Sequence, residues 1–302
     1  MTRQPDNHAR PILTDATEYP KRLLAVKDAP EKLYALGECD LNSRHIVAIV
    51  GTRSATAYAL GFINALIDDL NSHLDSLVIA SGLALGCDVM AHRRAIEAGV
   101  PTVALLAHGL DRIYPAAHRQ LATRMVNERT GMLLTTYPEG TPIHRGNFLA
   151  RNKVIAGICD CVVVAESAAD RGGALHTARY AAAIGKKVFA LPGRITDRYS
   201  RGCNMLVREG TAHLVESAED IIRAMGWTPR HNPEGVQQEL FPSVPTGDAA
   251  TIASFLEKTP DATADTISAG TGIPIRSLLS TLMEMEFNDL VISLPGNRYR
   301  LQ

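Results

Sequence analysis

The chain has 302 residues, 46% apolar and 21% charged, an ordinary globular composition with room for one large domain and a smaller one. A formal net charge of −1 excludes a global field as the means of holding a polyanion, so any such binding needs a local patch. No apolar run reaches membrane-spanning length and MTRQPDNHARP has no signal-peptide core, which predicts a cytoplasmic protein with no membrane partner.

In chain order, residues 1 to about 17 read as a flexible polar lead-in. Tyr19 to Glu38 reads as a short helix, a proline-broken turn and a second short segment. Ile46 to Val50 is an unbroken apolar run, the pattern of a strand buried on both faces. It stops at Gly51-Thr52-Arg53-Ser54, a strand-to-helix turn in which Ser54 is the expected N-cap of a helix carrying Tyr58, Phe62, Leu66 and Leu70. Amides at such a helix start, with a guanidinium beside them, suit a phosphate.

Strands are then expected at Ser76 to Gly82, Pro101 to Gly109, Gly131 to Tyr137, Asp160 to Ser167 and Lys186 to Gly193. Helices are expected at Asp88 to Ala98, Pro115 to Glu128, Phe148 to Ala156, Ala174 to Ile184 and Ala218 to Met225. This alternation predicts an α/β fold, a doubly wound, mostly parallel sheet. A polar, proline-rich linker follows at 228–247. Three short helices and a hairpin turning at Pro295-Gly296-Asn297 then give a winged-helix layout. The expected organisation is a lead-in and short helical segment over 1–43, the doubly wound domain over 44–227, the linker, and the winged helix over 248–302.

Ligands of doubly wound sheets bind where the strands' carboxyl ends open. Loops assigned to that edge carry Arg53, Arg93, Arg94, Arg112, His118, Arg119, His144, Arg145, Arg151, Arg171, Arg194, Arg198 and Arg201. They also carry Gly51, Gly82, Gly86, Gly109, Gly172, Gly173, Gly193 and Gly202, which let a phosphodiester approach the backbone. So many loops suit an extended polyanion better than a small sugar phosphate. Phe148, beside Arg151, Asn152 and Lys153, is either a hydrophobic staple or a platform for a base. Asp88 with His92 reads as local hydrogen bonding, and Glu166 with Asp170 as loop ordering, each preferred to acid–base chemistry. Among the five cysteines, Cys159 and Cys161 read as buried packing on one strand face, with no metal site.

Six motifs resemble, in order and spacing, those of the DNA-processing protein A (DprA/Smf) family. They are IVGTR from Ile49, SGLALGCDVMAH from Ser81, GLDRIYP from Gly109, FLARNKVIAG from Phe148, ESAADRGGALHTA from Glu166, and VFALPG with RGCNMLVREG from Val188 and Arg201. The resemblance implies a Rossmann-like domain and a non-enzymatic protein without a cofactor. It further implies sequence-independent single-stranded DNA binding, homodimers, and loading of the RecA recombinase onto incoming DNA in natural transformation. Carried over by position, the DNA-contacting residues are Gly51, Thr52, Arg53, Phe148, Arg151, Asn152, Lys153, Gly172 and Gly173; Ser54, Arg112 and Arg145 join them from the loop reading. Leu85 stands where a basic residue is common and Leu149 where proline is.

The winged-helix segment is acidic: Asp248, Glu257, Asp261, Asp265, Glu284, Glu286 and Asp289 outnumber Lys258, Arg276, Arg298 and Arg300. It therefore reads as a protein-contact or regulatory module rather than a duplex reader. The competing reading is a related nucleoside-monophosphate hydrolase with a PGGxGTxxE motif. RGGALHTARY, from Arg171, interrupts the GT pair and lacks the final carboxylate. A dinucleotide oxidoreductase is disfavoured because GTRSATAYALG lacks GxGxxG spacing.

Overall fold

A computed structural model of the chain describes residues 9–27, 29–169, 172–230, 247–287, 290–294 and 296–301. The chain divides into two compact units at Arg230. The first begins with β1 (Arg10–Leu13), α1 (Lys21–Leu24), β2 (Lys32–Gly37), β3 (His45–Val50), α2 (Ala57–His73), β4 (Leu77–Ser81) and α3 (Cys87–Glu97). It continues with β5 (Thr102–Leu106), α4 (Arg119–Asn127), β6 (Gly131–Thr135), α5 (Arg145–Ile158), β7 (Cys161–Val164) and α6 (Gly173–Ala183). It ends with β8 (Lys187–Ala190), α7 (Arg201–Arg208), β9 (His213–Leu214) and α8 (Ala218–Met225).

Among the described residues the strands form one sheet in the order β1-β2-β6-β5-β4-β3-β7-β8-β9. It is parallel from β6 to β9, with β2 antiparallel to β6 and β1 antiparallel to β2. The chain winds outward from β3 to β6, then returns to β7 on the other side of β3. That reversal makes the β3/β7 boundary the switch point at which ligands of such sheets bind. The two-residue period of β3 divides its side chains between two cores: Ile46, Ala48 and Val50 on one face, Val47 and Ile49 on the other. Helices α5, α6 and α7 supply the first core, and α2, α3 and α8 the second. The unbroken apolar run of β3 is the consequence of having no solvent face.

The parallel core follows the predicted alternation, with four departures. Arg10–Leu13, read as flexible lead-in, is a strand registered from Arg10 opposite Ala35 to Leu13 opposite Lys32. The second short segment is β2, inserted between β1 and β6, so the N-terminal residues complete the sheet. Arg201–Arg208, read as loop, is a helix that buries Gly202, Cys203 and Leu206. Cys159 and Cys161 do not share a strand face: Cys159 caps α5, and the two thiols lie in opposite cores. Burial pushes the Cys159 thiol up to about 12 and raises that of Cys161 as well.

The second unit consists of α9 (Asp248–Lys258), β10 (Ala262–Thr263), α10 (Ala264–Thr271), α11 (Ile275–Phe287), β11 (Val291–Leu294) and β12 (Arg298–Leu301). Its antiparallel sheet runs β10-β12-β11. Ile252, Leu256, Ile267, Leu278, Leu282 and Met285 bring the three helices together over Val291. Gly272, left-handed at φ 73°, ends α10 and frees the chain to turn into α11. Most of the predicted linker lies outside the described residues, as do Asp289 and Pro295. No helix among the described residues is long and apolar enough to cross a membrane.

Candidate functional site

A cleft of about 850 Å3 opens at the switch point. Three segments supply most of its lining: the turn after β3 (Gly51, Thr52, Arg53), α5 (Arg145, Phe148, Leu149, Arg151, Asn152, Ile155) and the start of α6 (Gly172 to Ala174, His176, Thr177). Phe148, Arg151, Asn152 and Ile155 stand at i, i+3, i+4 and i+7, one face of a helix. The loop after β8 adds Arg198 and Tyr199.

The turn after β3 is held by its own hydrogen bonds. The Thr52 amide donates to the Glu166 carbonyl (2.8 Å), the Cys87 amide to the Thr52 carbonyl (3.2 Å) and the Ser54 amide to the Thr52 hydroxyl (3.2 Å). A β-carbon on Gly51 would collide with the Cys87 sulfur, so only glycine admits α3 this close. Ser54 is not the N-cap of α2; Thr56 is. The Thr56 amide (3.0 Å) and hydroxyl (2.6 Å) both donate to the carboxylate of Glu166, which is 3% exposed. A carboxylate from the end of β7 therefore occupies the positive end of α2. Glu166 thus takes the Thr56 amide and orders the loop, while Gly51, Thr52 and Arg53 of the turn line the cleft.

The start of α6 presents the opposite case. Gly172, at φ 150°, precedes the helix, and no side chain caps it among the described residues. The Asn152 side-chain Nδ2 donates to the Gly173 carbonyl (3.3 Å) and pins this bend to α5. The residues that open α6 thus line the cleft with no side-chain cap, whereas the N-cap amide of α2 is taken by Glu166.

Phe148 lies half-buried in the first turn of α5, whose N-cap His144 accepts from the Gly146 amide (3.1 Å). Two guanidinium groups flank its ring, Arg53 at 5.6 Å and Arg151 at 5.8 Å from the centroid. Tyr114 meets it edge-on at 6.1 Å. Phe148 is half-buried and lines the cleft. Leu85 lines an apolar hollow with Tyr114 and Phe148, and Leu149 lines the cleft.

Arg151 has a different environment from the one its sequence position suggests. It is 6% exposed, and its guanidinium donates to the carbonyls of Gly82 (2.5 Å) and Leu105 (2.6 Å) and to the Asn152 amide oxygen (3.1 Å). Burial pushes the Asp88 carboxyl above its ordinary range and the Arg151 guanidinium below its own, each effect opposed by the attraction between them. Arg151 is thus a strut beneath the cleft, joining α5 to the ends of β4 and β5. The local pairing expected of Asp88 and His92 takes the form of separate partners. Asp88 accepts from the Ala84 amide (3.3 Å), while His92 Nδ1 meets the Thr102 hydroxyl at 2.7 Å.

Gly51, Thr52, Arg53, Arg145, Phe148, Arg151, Asn152, Gly172 and Gly173 thus share one cleft, which Ser54, Arg112 and Lys153 do not line. Arg112 pairs with Asp111 at 2.7 Å, and the Lys153 ammonium sits 5.4 Å from the Tyr180 ring. The expected convergence of basic residues is partial. Arg94, in the last turn of α3, pairs with Asp68 (2.6 Å), and His118 is buried against the Leu83 carbonyl. Asp170 and Arg171 lie outside the described residues. Arg198, placed on this edge by the sequence reading, does line the cleft, whereas Tyr114, His176 and Tyr199 were missed by it. The signal for Tyr114 was an aromatic beside arginine in a carboxyl-edge loop, the interleaving of a stacking surface. No cluster able to hold a metal ion occurs among the described residues.

Fold and cleft together define a Rossmann-like α/β protein with an arginine-flanked aromatic at its switch point and a winged-helix unit behind it in sequence. The chain belongs to the DNA-processing protein A family: the family model described as DNA recombination-mediator protein A matches residues 10–226, and the DprA winged helix domain matches 239–297. Protein Smf of Escherichia coli is 31% identical over 301 residues, covering 99% of this chain and 79% of that protein. DNA processing protein DprA of Streptococcus pneumoniae is 39% identical over 211 residues, covering 70% and 72%. An X-ray structure of the Streptococcus pneumoniae protein superposes with a TM-score of 0.65 at 36% identity, covering 71% of this chain and 74% of that one. A structure addressing the single-stranded DNA binding mode of DNA processing protein A from Helicobacter pylori gives a TM-score of 0.61 at 29% identity, covering 72% and 97%.

Proposed function

We propose that this protein binds single-stranded DNA without sequence preference and, as a homodimer, loads the RecA recombinase onto it, acting as a binding protein rather than an enzyme. The observation that carries the reading is Phe148, a half-buried ring with two guanidinium groups near it, lining a cleft at which α6 begins without a side-chain cap. A base stacks on Phe148 with Tyr114 at its edge, and stacking tolerates every base because each has a π-face. The sugar–phosphate backbone crosses the Gly172–Gly173 bend, where the start of α6 supplies amides and a positive dipole. Arg53, Arg145 and Arg198 neutralise neighbouring phosphates. Ser54, Arg112 and Lys153, outside the lining, take no part in this reading.

The test is titration with labelled poly-deoxythymidine and with an equally long duplex at several salt concentrations. Tight, salt-sensitive binding of the single strand with weaker binding of the duplex is expected. Equal affinity for both would refute the stacking site. RecA loading is read separately, as faster filament assembly on DNA precoated with single-strand-binding protein.

A further inference from the structure

One face of α11 is left over once the core of the winged-helix unit is built. Leu278, Leu282 and Met285 point into that core, while Ile275, Leu279 and Met283 form an outward ridge at four-residue spacing, 42%, 42% and 73% exposed. A helix that reads a DNA groove presents Arg, Asn or Gln on such a face. Here Arg276 is the single cation of α11, set beside the N-terminal end of the ridge. Glu286 is exposed in the last turn, with no basic residue in that turn. A carboxylate there opposes the helix dipole unless a cation is brought to it.

We propose that α11 is a contact between two copies of this chain, the two helices meeting antiparallel about a two-fold axis at Leu279. Ile275 then packs against the partner's Met283, and Leu279 against its own copy. Each Arg276 lies toward the C-terminal turn that holds the partner's Glu286, and the two helix dipoles run in opposition. A uniformly basic partner helix would satisfy Glu286 but set a cation against Arg276; the opposite signs at the two ends of the ridge match when the ridge meets itself. Three side chains per copy bury less than the roughly 800 Å2 per partner of a stand-alone interface, so the contact forms between chains already concentrated or held together. It is independent of what the cleft binds.

The experiment is disulfide trapping in the full-length chain under mild oxidation. Leu279→Cys is compared with Ser277→Cys, exposed on the same helix but off the ridge. Both share the background of four buried cysteines and the half-buried Cys39. The Leu279→Cys protein is expected to cross-link about tenfold faster, because its thiols alone meet on the axis. Adding Arg276→Glu is expected to slow that cross-linking about fivefold, the effect of two exposed ion pairs, and adding Glu286→Arg as well to restore it. Equal rates for the two cysteines, or a charge swap that restores nothing, overturns the proposal.

Discussion

Two arginines near one phenylalanine do different work, and burial separates them. Arg53 is exposed, whereas Arg151 is enclosed among carbonyls and Asp88. Arg151→Ala is expected to destabilise the fold by about 3–5 kcal/mol in urea unfolding, because Asp88 and two carbonyls lose their cation; a stable variant with weak DNA binding would instead make Arg151 a direct contact. Phe148→Ala should weaken poly-deoxythymidine binding by about 1–3 kcal/mol and Phe148→Tyr should largely restore it, read by fluorescence titration. His92 supplies a pH signature. It is fully buried, its Nε2 has no hydrogen-bond partner among the described residues, and burial, reinforced by His118 and Arg151, pushes its pKa down to about 3. The folded state keeps it neutral where the unfolded chain takes up a proton below about 6.5, so its stabilisation is complete above that pH and lost as pH falls toward 3. By pH 5 the loss is about 2 kcal/mol. Asp88, with its carboxyl raised, acts in the opposite sense. The comparison is therefore between wild type and His92→Gln across pH, and parallel stability curves would contradict this assignment.

At the scale of elements, α2 and α6 begin on either side of the switch point with opposite fates. Glu166 accepts from the N-cap of one, and no side chain caps the other among the described residues. Glu166→Ala should lower unfolding free energy by about 1–2 kcal/mol, since the Thr56 amide and hydroxyl lose their acceptor; an unchanged melting curve would show that the cap is dispensable. This difference was not legible in the sequence. Thr56 and Glu166 are distant along the chain, and a Gly-Thr-Arg-Ser turn before a helix reads the same whether or not a remote carboxylate fills it. The parallel strands were legible because burial on both faces writes an unbroken apolar run. β1 was hidden because Arg10–Leu13 has one residue fully buried and contains proline, and α7 because RGCNMLVR opens with arginine and glycine. The grouping of Arg53, Phe148 and Gly173 could be read from loop positions alone, but the burial of Arg151 depended on packing that no local pattern records.

Over the whole molecule the net charge is −1, so on the proposed function the phosphates are held by the local patch at the cleft. The logarithm of affinity should fall with the logarithm of salt by about 0.7 per phosphate neutralised, and Arg53→Ala should reduce that slope by about one such step on every sequence tested. A slope untouched by the substitution would place Arg53 away from the backbone. The same whole-molecule view applies to the sheet. β2 pairs with β6 on one side and with β1 on the other, although Lys32–Gly37 precedes Gly131–Thr135 by four strands. During synthesis the first hairpin must therefore leave the ribosome and wait while β3, β4 and β5 are made. Until β6 emerges, Leu33 and Ala35, both wholly buried at the end, remain open to solvent and to neighbouring nascent chains. The seam between the first hairpin and the parallel strands is thus among the last parts of the sheet's β1-to-β3 side to close.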